Sequence, residues 1–370
     1  MINRFLSAIR SPVKRAGAER YLLVTLLSFA ISITLTRLFL ELTGYPQLGR
    51  GTLHIAHVLW GGLLLFIAAL IPIVFANRWV YTASALLSGI GVGLFIDEVG
   101  KFITQTNDYF YPAAAPIIYV FFLLTALVYF QVKREKRQNP RTELYHAIEL
   151  LQDVLDHDMD VDERAEMEKH LRNVAGQVEH PDLARMASAL LDFVTYKELY
   201  IAPPPPWFWR KFQHKLLEFE QKHLGRTRFR AALSAGVAVT GVVALLNLIR
   251  LIMLSTVTVS LEEILENLVY RGVVQSSESV ALFFVRVGLE GIVGMLLVIG
   301  AVYLAVGREK KGYSLAYISL LIELTTINIL IFYFEQFSAI ILSVLQLAVL
   351  LGLIYYRQRY LIPKADYDLR

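Results

Sequence analysis

Eight stretches of this chain are apolar over roughly the 20 helical residues that a hydrocarbon core of about 30 Å demands. They are 21–43, 54–76, 79–104, 114–132, 231–254, 279–306, 313–334 and 337–356. Few folds are open to such segments. In lipid the backbone has to satisfy its own N–H and C=O groups, so each stretch reads as a membrane-spanning helix. Charged residues make up 18% of the chain, against about 25% in an ordinary soluble protein. Of the 68 charged residues, 34 fall between Lys133 and Arg230, which leaves the remainder more apolar still. The expected fold is all-α: a polytopic membrane protein of eight transmembrane helices with a helical insert. It has a first membrane half over 1–132, a cytoplasmic insert over 133–230 and a second membrane half over 231–370.

Charge at the span ends orients this arrangement. With the N-terminus inside, the inner segments collect Arg4, Arg10, Lys14, Arg15, Arg20 and Arg78, then the clusters at 133–137, 226–230, 308–311 and 357–370. The outer loops hold only Arg50 and Arg271. A bias of this size follows the positive-inside rule and requires an even number of spans. Both termini are therefore expected to be cytoplasmic, in the inner (plasma) membrane. The first span exceeds the length of a secretory h-region, and no small-residue cleavage site follows it, so it reads as an uncleaved anchor. The net charge of +4 is too small and dispersed for a nucleic-acid surface. The absence of cysteine excludes disulfides, thiolate metal sites, iron–sulfur clusters and cysteine nucleophiles.

Within the insert, 143–198 holds 14 acidic and 5 basic residues between basic flanks. Leu144, Ile148, Leu151 and Leu155 form a helical apolar stripe. The run from Asp156 to Glu163 looks like a calcium loop, but in either register the turn glycine and closing glutamate fall on the wrong residues. An inter-helix turn fits better, with Asp160 capping a helix and Glu163 completing a capping box. Pro203 to Pro206 make a polyproline spacer. The aromatic and basic residues of 207–224 then describe an interfacial helix in the inner headgroup layer. The acidic region 140–200 also suits docking of a cytoplasmic protein partner. Outside, Ser260 opens a short acidic amphipathic helix.

The halves share a plan of four spans each. Trp60-Gly61 and Glu290-Gly291 occupy the second span of each half, and Ile96-Asp97 and Ile322-Glu323 the third. These correspondences suggest two parallel four-helix repeats, since four spans preserve orientation.

Charges inside a bilayer cost a few kcal/mol each, so they pair or serve a site. Here Arg37, Glu41, His54, His57, Asp97, Glu98 and Lys101 gather in the outer half of the first three spans, with Asp108 in the turn beyond. Arg286, Glu290 and Glu323 belong to the second half. The spacings Arg37 to Glu41, Asp97 to Lys101 and Arg286 to Glu290 suit intrahelical pairs. Those pairs leave Glu98 and Glu323 as the acids of greatest interest. The candidate ligand-binding set is His54, His57, Asp97, Glu98, Lys101, Asp108, Glu290 and Glu323. His54 and His57 lie about 60° apart on a helix and permit a shared divalent metal with Glu98 and Asp108. The same two histidines also suit hydrogen bonding at the outer interface. Gly89, Gly91 and Gly93 offer a face for close helix approach. A single outward-open cluster of His54, His57, Glu98 and Asp108 is expected if the second and third spans meet along these glycines and Gly61–Gly62. Phosphate-loop, G-x-S-x-G and H-E-x-x-H signatures are missing.

The segments His54-Ile-Ala-His57-Val-Leu-Trp60-Gly61, Gly91-Val-Gly93-Leu-Phe-Ile-Asp97-Glu98, Asn107-Asp108-Tyr109 and Thr326 to Phe337 resemble an uncharacterised group of bacterial polytopic membrane proteins. The resemblance covers the membrane halves and not the insert, and it implies no activity. Three functions fit the sequence. One is binding or transport of an ion, small solute or lipid headgroup through an outward-facing intramembrane polar site. The second is a metal-dependent enzyme acting on a lipid at the outer leaflet, with Asp97 or Glu98 as general base. The third is a scaffold or sensor that recruits a partner through 140–200.

Overall fold

The computed structural model describes residues 12–44, 56–134, 139–177, 180–196, 199–203, 225–257 and 277–361. Among them every regular element is helical. The chain divides into two compact units, Met1–Glu98 with Phe121–Trp207, and Val99–Val120 with Phe208–Arg370. Residues 133–207 of the insert therefore group with the first membrane helices. The boundary also falls inside the fourth span.

Among the described residues, seven helical segments are long and apolar enough to cross a membrane. In the first unit these include α1 (Ala18–Thr43), α2 (His57–Val74) and α3 (Trp79–Ile96). Along α1 the exposed side is Leu27, Ile31, Leu35 and Leu38, while Ser28 and Arg37 are buried. A helix with its polar groups inward and its leucines outward is made for lipid, not water. The third span is not one helix to 104, as the sequence suggested. It stops at Ile96, and a short α4 (Val99–Ile103) follows, so Asp97 and Glu98 occupy the interruption. The fourth span, α5 (Ala114–Lys133), is shared between the units.

The insert contributes three helices: α6 (Pro140–Leu155), α7 (Val161–Ala175) and α8 (Pro181–Val194). Pro140 and Pro181 open the first and third, at positions where a missing N–H costs nothing. Asp160 and Glu163 make both bonds of the capping box that starts α7. Leu144, Leu150, Met159, Met167, Leu171 and Val174 close into a core, which Ala187 and Val194 of α8 complete. The insert also binds its own membrane unit. Arg78, in the turn between α2 and α3, pairs with Asp153 and Glu163. Beside it, Asn77 donates to Asp156 at 2.9 Å, and Arg15 lies 3.2 Å from Glu149.

The second unit holds α9 (Arg226–Val257), α10 (Ser277–Ala305) and α11 (Glu309–Ile322), followed by a π-turn at Glu323–Ile327. After these come α12 (Asn328–Glu335), a 3₁₀ turn at Gln336–Ala339, α13 (Ile340–Tyr356) and a terminal π-turn at Arg357–Leu361. The seventh spanning segment is all of Glu309–Leu361, 53 residues. As one straight helix it would run about 80 Å, far beyond a bilayer. It folds back instead. Gln346 donates to Glu323 at 2.8 Å and Asn328 to Ser343 at 3.0 Å, a pairing only a hairpin allows. Gln336, at φ 53°, sits at the reversal and donates to the Tyr333 carbonyl at 3.2 Å.

Helix pairing differs between the two halves of the sequence. In the first unit, α1 and α2 both pack on α3. In the second, α9 and α11 both pack on α10. The central helix is thus the third of one set and the second of the other. Among the described residues, the pairing of second span with third recurs in both halves, whereas the first span packs on the third in one and on the second in the other. The interfacial helix at 207–224 and the amphipathic segment after Ser260 lie outside the described residues.

Candidate functional site

The first unit's site is built by alternate glycines on α3. Residues four apart share one helix face and residues two apart nearly oppose each other. Gly89 and Gly93 accordingly face α1, where an added Cβ at the first would collide with the Thr25 carbonyl oxygen and one at the second would stand 2.8 Å from the Ser32 side chain. Gly91 faces α2, with 2.9 Å to the Gly61 carbonyl oxygen. Gly62 has open space around it and takes no part. Hydroxyls extend the α1–α3 seam: Thr25 donates to the Ala85 carbonyl at 3.2 Å and Ser32 to that of Ile90 at 3.2 Å. This seam runs parallel, and the next polar pair along it is Arg37 with Asp97. The α2–α3 seam runs antiparallel, with Ser84 donating to the Ala68 carbonyl at 2.7 Å. At its other end, His57 meets the same aspartate.

Four charged or titratable groups converge there. Arg37 Nε donates to Asp97 Oδ1 at 2.5 Å, and its Nη2 donates to the Asp97 carbonyl oxygen at 3.0 Å. His57 Nε2 lies 3.0 Å from Asp97 Oδ2, and its Nδ1 lies 2.9 Å from Glu98 Oε1. Asp97 and Glu98 are 0% and 1% exposed, whereas the His57 side chain keeps 22% of its surface. The imidazole is the part of the cluster that reaches outward. A neutral imidazole carries one N–H, yet both nitrogens here face carboxylates. Satisfying both contacts takes one extra proton, held as imidazolium or as a carboxylic acid. With that proton the four groups sum to zero charge, and without it to −1.

The expected intrahelical pairing gives way at Arg37, which turns inward to Asp97 while Glu41 is exposed. A local spacing rule cannot see a partner sixty residues away. Arg286 and Glu290 do pair, at 3.3 Å, and Arg286 also reaches Glu335. Lys101 lies 5.1 Å from the ring centre of Tyr109. Asp108 is exposed, and its carboxylate accepts from the Phe110 N–H at 2.9 Å, closing its own turn. His54 lies outside the described residues. Among the described residues, no group of three or more His, Asp and Glu side chains is arranged to hold a metal ion.

A second polar centre belongs to the other unit, around Glu290 and Glu323 of the candidate set. Glu323 and Glu290 are each 1% exposed, and Asn328 and Gln346 are also buried. Gln346 donates to Glu323 Oε1 at 2.8 Å, and Asn328 donates to Gln346 Oε1 at 2.7 Å. Tyr119 donates to the Leu324 carbonyl at 2.6 Å, inside the π-turn. Glu290 accepts from Asn247 at 2.7 Å. Isolated π-turns within α-helices often mark functional positions, and this one begins at the acid. No protein-family model, curated protein or solved structure matches the chain.

Proposed function

We propose that this integral membrane protein binds or transports an ion or small polar solute through the Arg37–His57–Asp97–Glu98 cluster, and that proton exchange at the cluster is part of the process. The observation that carries this reading is the imidazole held between two buried carboxylates, with its outer edge open. One proton switches the cluster between neutral and singly negative. That change in charge can drive uptake and release of a cation in a medium of low dielectric. In this reading the chain crosses the plasma membrane eight times, the Glu309–Leu361 hairpin supplying two passes, with both termini and the insert cytoplasmic. His57 then faces outward.

The reading is tested in proteoliposomes loaded with a pH-sensitive dye, with a potassium diffusion potential imposed by valinomycin. Wild type should acidify or alkalinise the lumen faster than empty vesicles, and His57→Ala and Glu98→Gln should each lose most of that rate. Equal rates in wild type and both variants would overturn it. The lipid-enzyme alternative has less support, because His57 would have to surrender a carboxylate contact to ligate a metal. The scaffold alternative is weakened by Glu149, Asp153, Asp156 and Glu163, which are engaged by Arg15, Arg78 and Asn77.

A further inference from the structure

The second unit carries a charge that its own side chains do not settle. Glu323 Oε1 accepts from the neutral amide of Gln346, while Oε2 is buried and has no hydrogen-bond partner among the described residues. Two further buried oxygens in this region also lack a hydrogen-bond partner, Ser319 Oγ and Glu290 Oε2. Ser319 precedes Glu323 by four residues, on the same face of α11. Glu290 is brought level with Glu323 by the antiparallel α10–α11 packing. There, an added Cβ on Gly312 would meet Leu304 N at 2.7 Å and one on Gly300 would meet Ala316 N at 3.2 Å. The π-turn that Glu323 opens packs directly against α10.

The nearby cation does not resolve this. Arg286 lies 3.3 Å from Glu290 Oε2 and also pairs with Glu335, so it is shared between those two acids. Glu323 is left facing Gln346 from α13 and Glu290 from α10, with Tyr119 and Asn328 of the adjoining polar chain as neutral neighbours. An unneutralised carboxylate in an apolar interior costs several kcal/mol, and among the described residues no side chain supplies Glu323 with a positive charge. The available partners are all oxygens, the donor type that hard cations prefer.

We propose that Glu323, with Ser319 and Glu290 beside it, forms a buried site for one monovalent cation, filled by an alkali ion or by a proton. It is separate from the His57 cluster and does not rest on the function proposed above.

The test uses the purified full-length protein in detergent. Its melting temperature is followed against NaCl, with N-methylglucamine chloride as the ionic-strength control, and separately against pH without sodium. A ligand that binds only the folded state raises the melting temperature. Wild type should gain a few degrees with sodium if an alkali ion fills the site, or on lowering pH if a proton does. Glu323→Gln, neutral and nearly isosteric, should lose that response, whereas Glu335→Gln should keep it. Labelling of wild type with dicyclohexylcarbodiimide, read by mass spectrometry, requires no variant. A protonated Glu323 adds across the reagent's C=N bond and gives up its proton to nitrogen. An adduct on Glu323 supports the proton arm, and an adduct suppressed by sodium supports the alkali arm. No melting response to sodium or pH, together with no adduct, would overturn the site. So would a Glu323→Gln variant that responds as wild type does.

Discussion

Arg37, on α1, and Asp97, just past the end of the parallel α3, lie 2.5 Å apart, Nε to Oδ1. Both are nearly inaccessible, so the bond is worth most when one partner is taken away. Breaking a buried ion pair costs about 3–5 kcal/mol, whereas replacing both members can be close to neutral. Arg37→Ala should therefore lower the melting temperature sharply, and Arg37→Ala combined with Asp97→Ala should recover part of the loss. Additive losses in that double-mutant cycle, followed by thermal unfolding in detergent, would show that the pair is not coupled.

Gly61 and Gly62 provide a matched contrast. A Cβ at Gly61 would stand 2.7 Å from Phe95 N and 2.8 Å from the Gly91 carbonyl oxygen, all backbone, while at Gly62 it meets nothing. Gly61→Ala should force α2 away from α3 at a cost of about 1–3 kcal/mol, and should also reduce the function assigned to His57. Gly62→Ala should leave both stability and function near wild type. Melting curves for the two single variants decide it.

The hairpin at Gln336 calls for a topology measurement. The chain has no cysteine, so one introduced thiol reports without background. Ser338→Cys, at an exposed site in the 3₁₀ turn, should react with a membrane-impermeant maleimide added outside intact cells. Asp158→Cys, at an exposed position of the insert, reports on the opposite face and should react only after the cells are opened. Labelling of both positions from the same side would exclude the eight-pass arrangement.

The insert should fold without its membrane unit, because its core is made from its own three helices. A fragment covering 139–203 is expected to be soluble and helical by circular dichroism, with no change on adding calcium. Met167→Ala, at a fully buried position, should cost it about 2–5 kcal/mol. Asp160→Ala should cost it about 1 kcal/mol through loss of the cap. A calcium-dependent spectrum would reinstate the acidic loop as an ion site.

Spans were legible in the sequence because lipid imposes a length and a hydropathy that no tertiary contact can override. The capping box at Asp160 was legible for a similar reason, since its bonds are local. The partner of Arg37 was not, because the four-residue rule favoured Glu41 and no spacing encodes a neighbour on another helix. Alternation of Gly89, Gly91 and Gly93 did signal close approach, yet it could not say that two different helices would use opposite sides. The Gln346–Glu323 contact and the π-turn were hidden as well. An amide and an acid 23 residues apart look unrelated until the hairpin closes.

The parallel seam between α1 and α3 also sets a schedule for synthesis. Each of the first two helices packs mainly on the third, so neither has its partner when it enters the bilayer. Arg37 waits there for its Asp97 bond, which becomes available only sixty residues of translation later. A ribosome stalled before that point would leave a nascent chain without the Arg37–Asp97 bond that ties α1 to α3. Such a chain is a natural target for membrane quality-control proteases, whereas one released just beyond Glu98 has the means to protect itself.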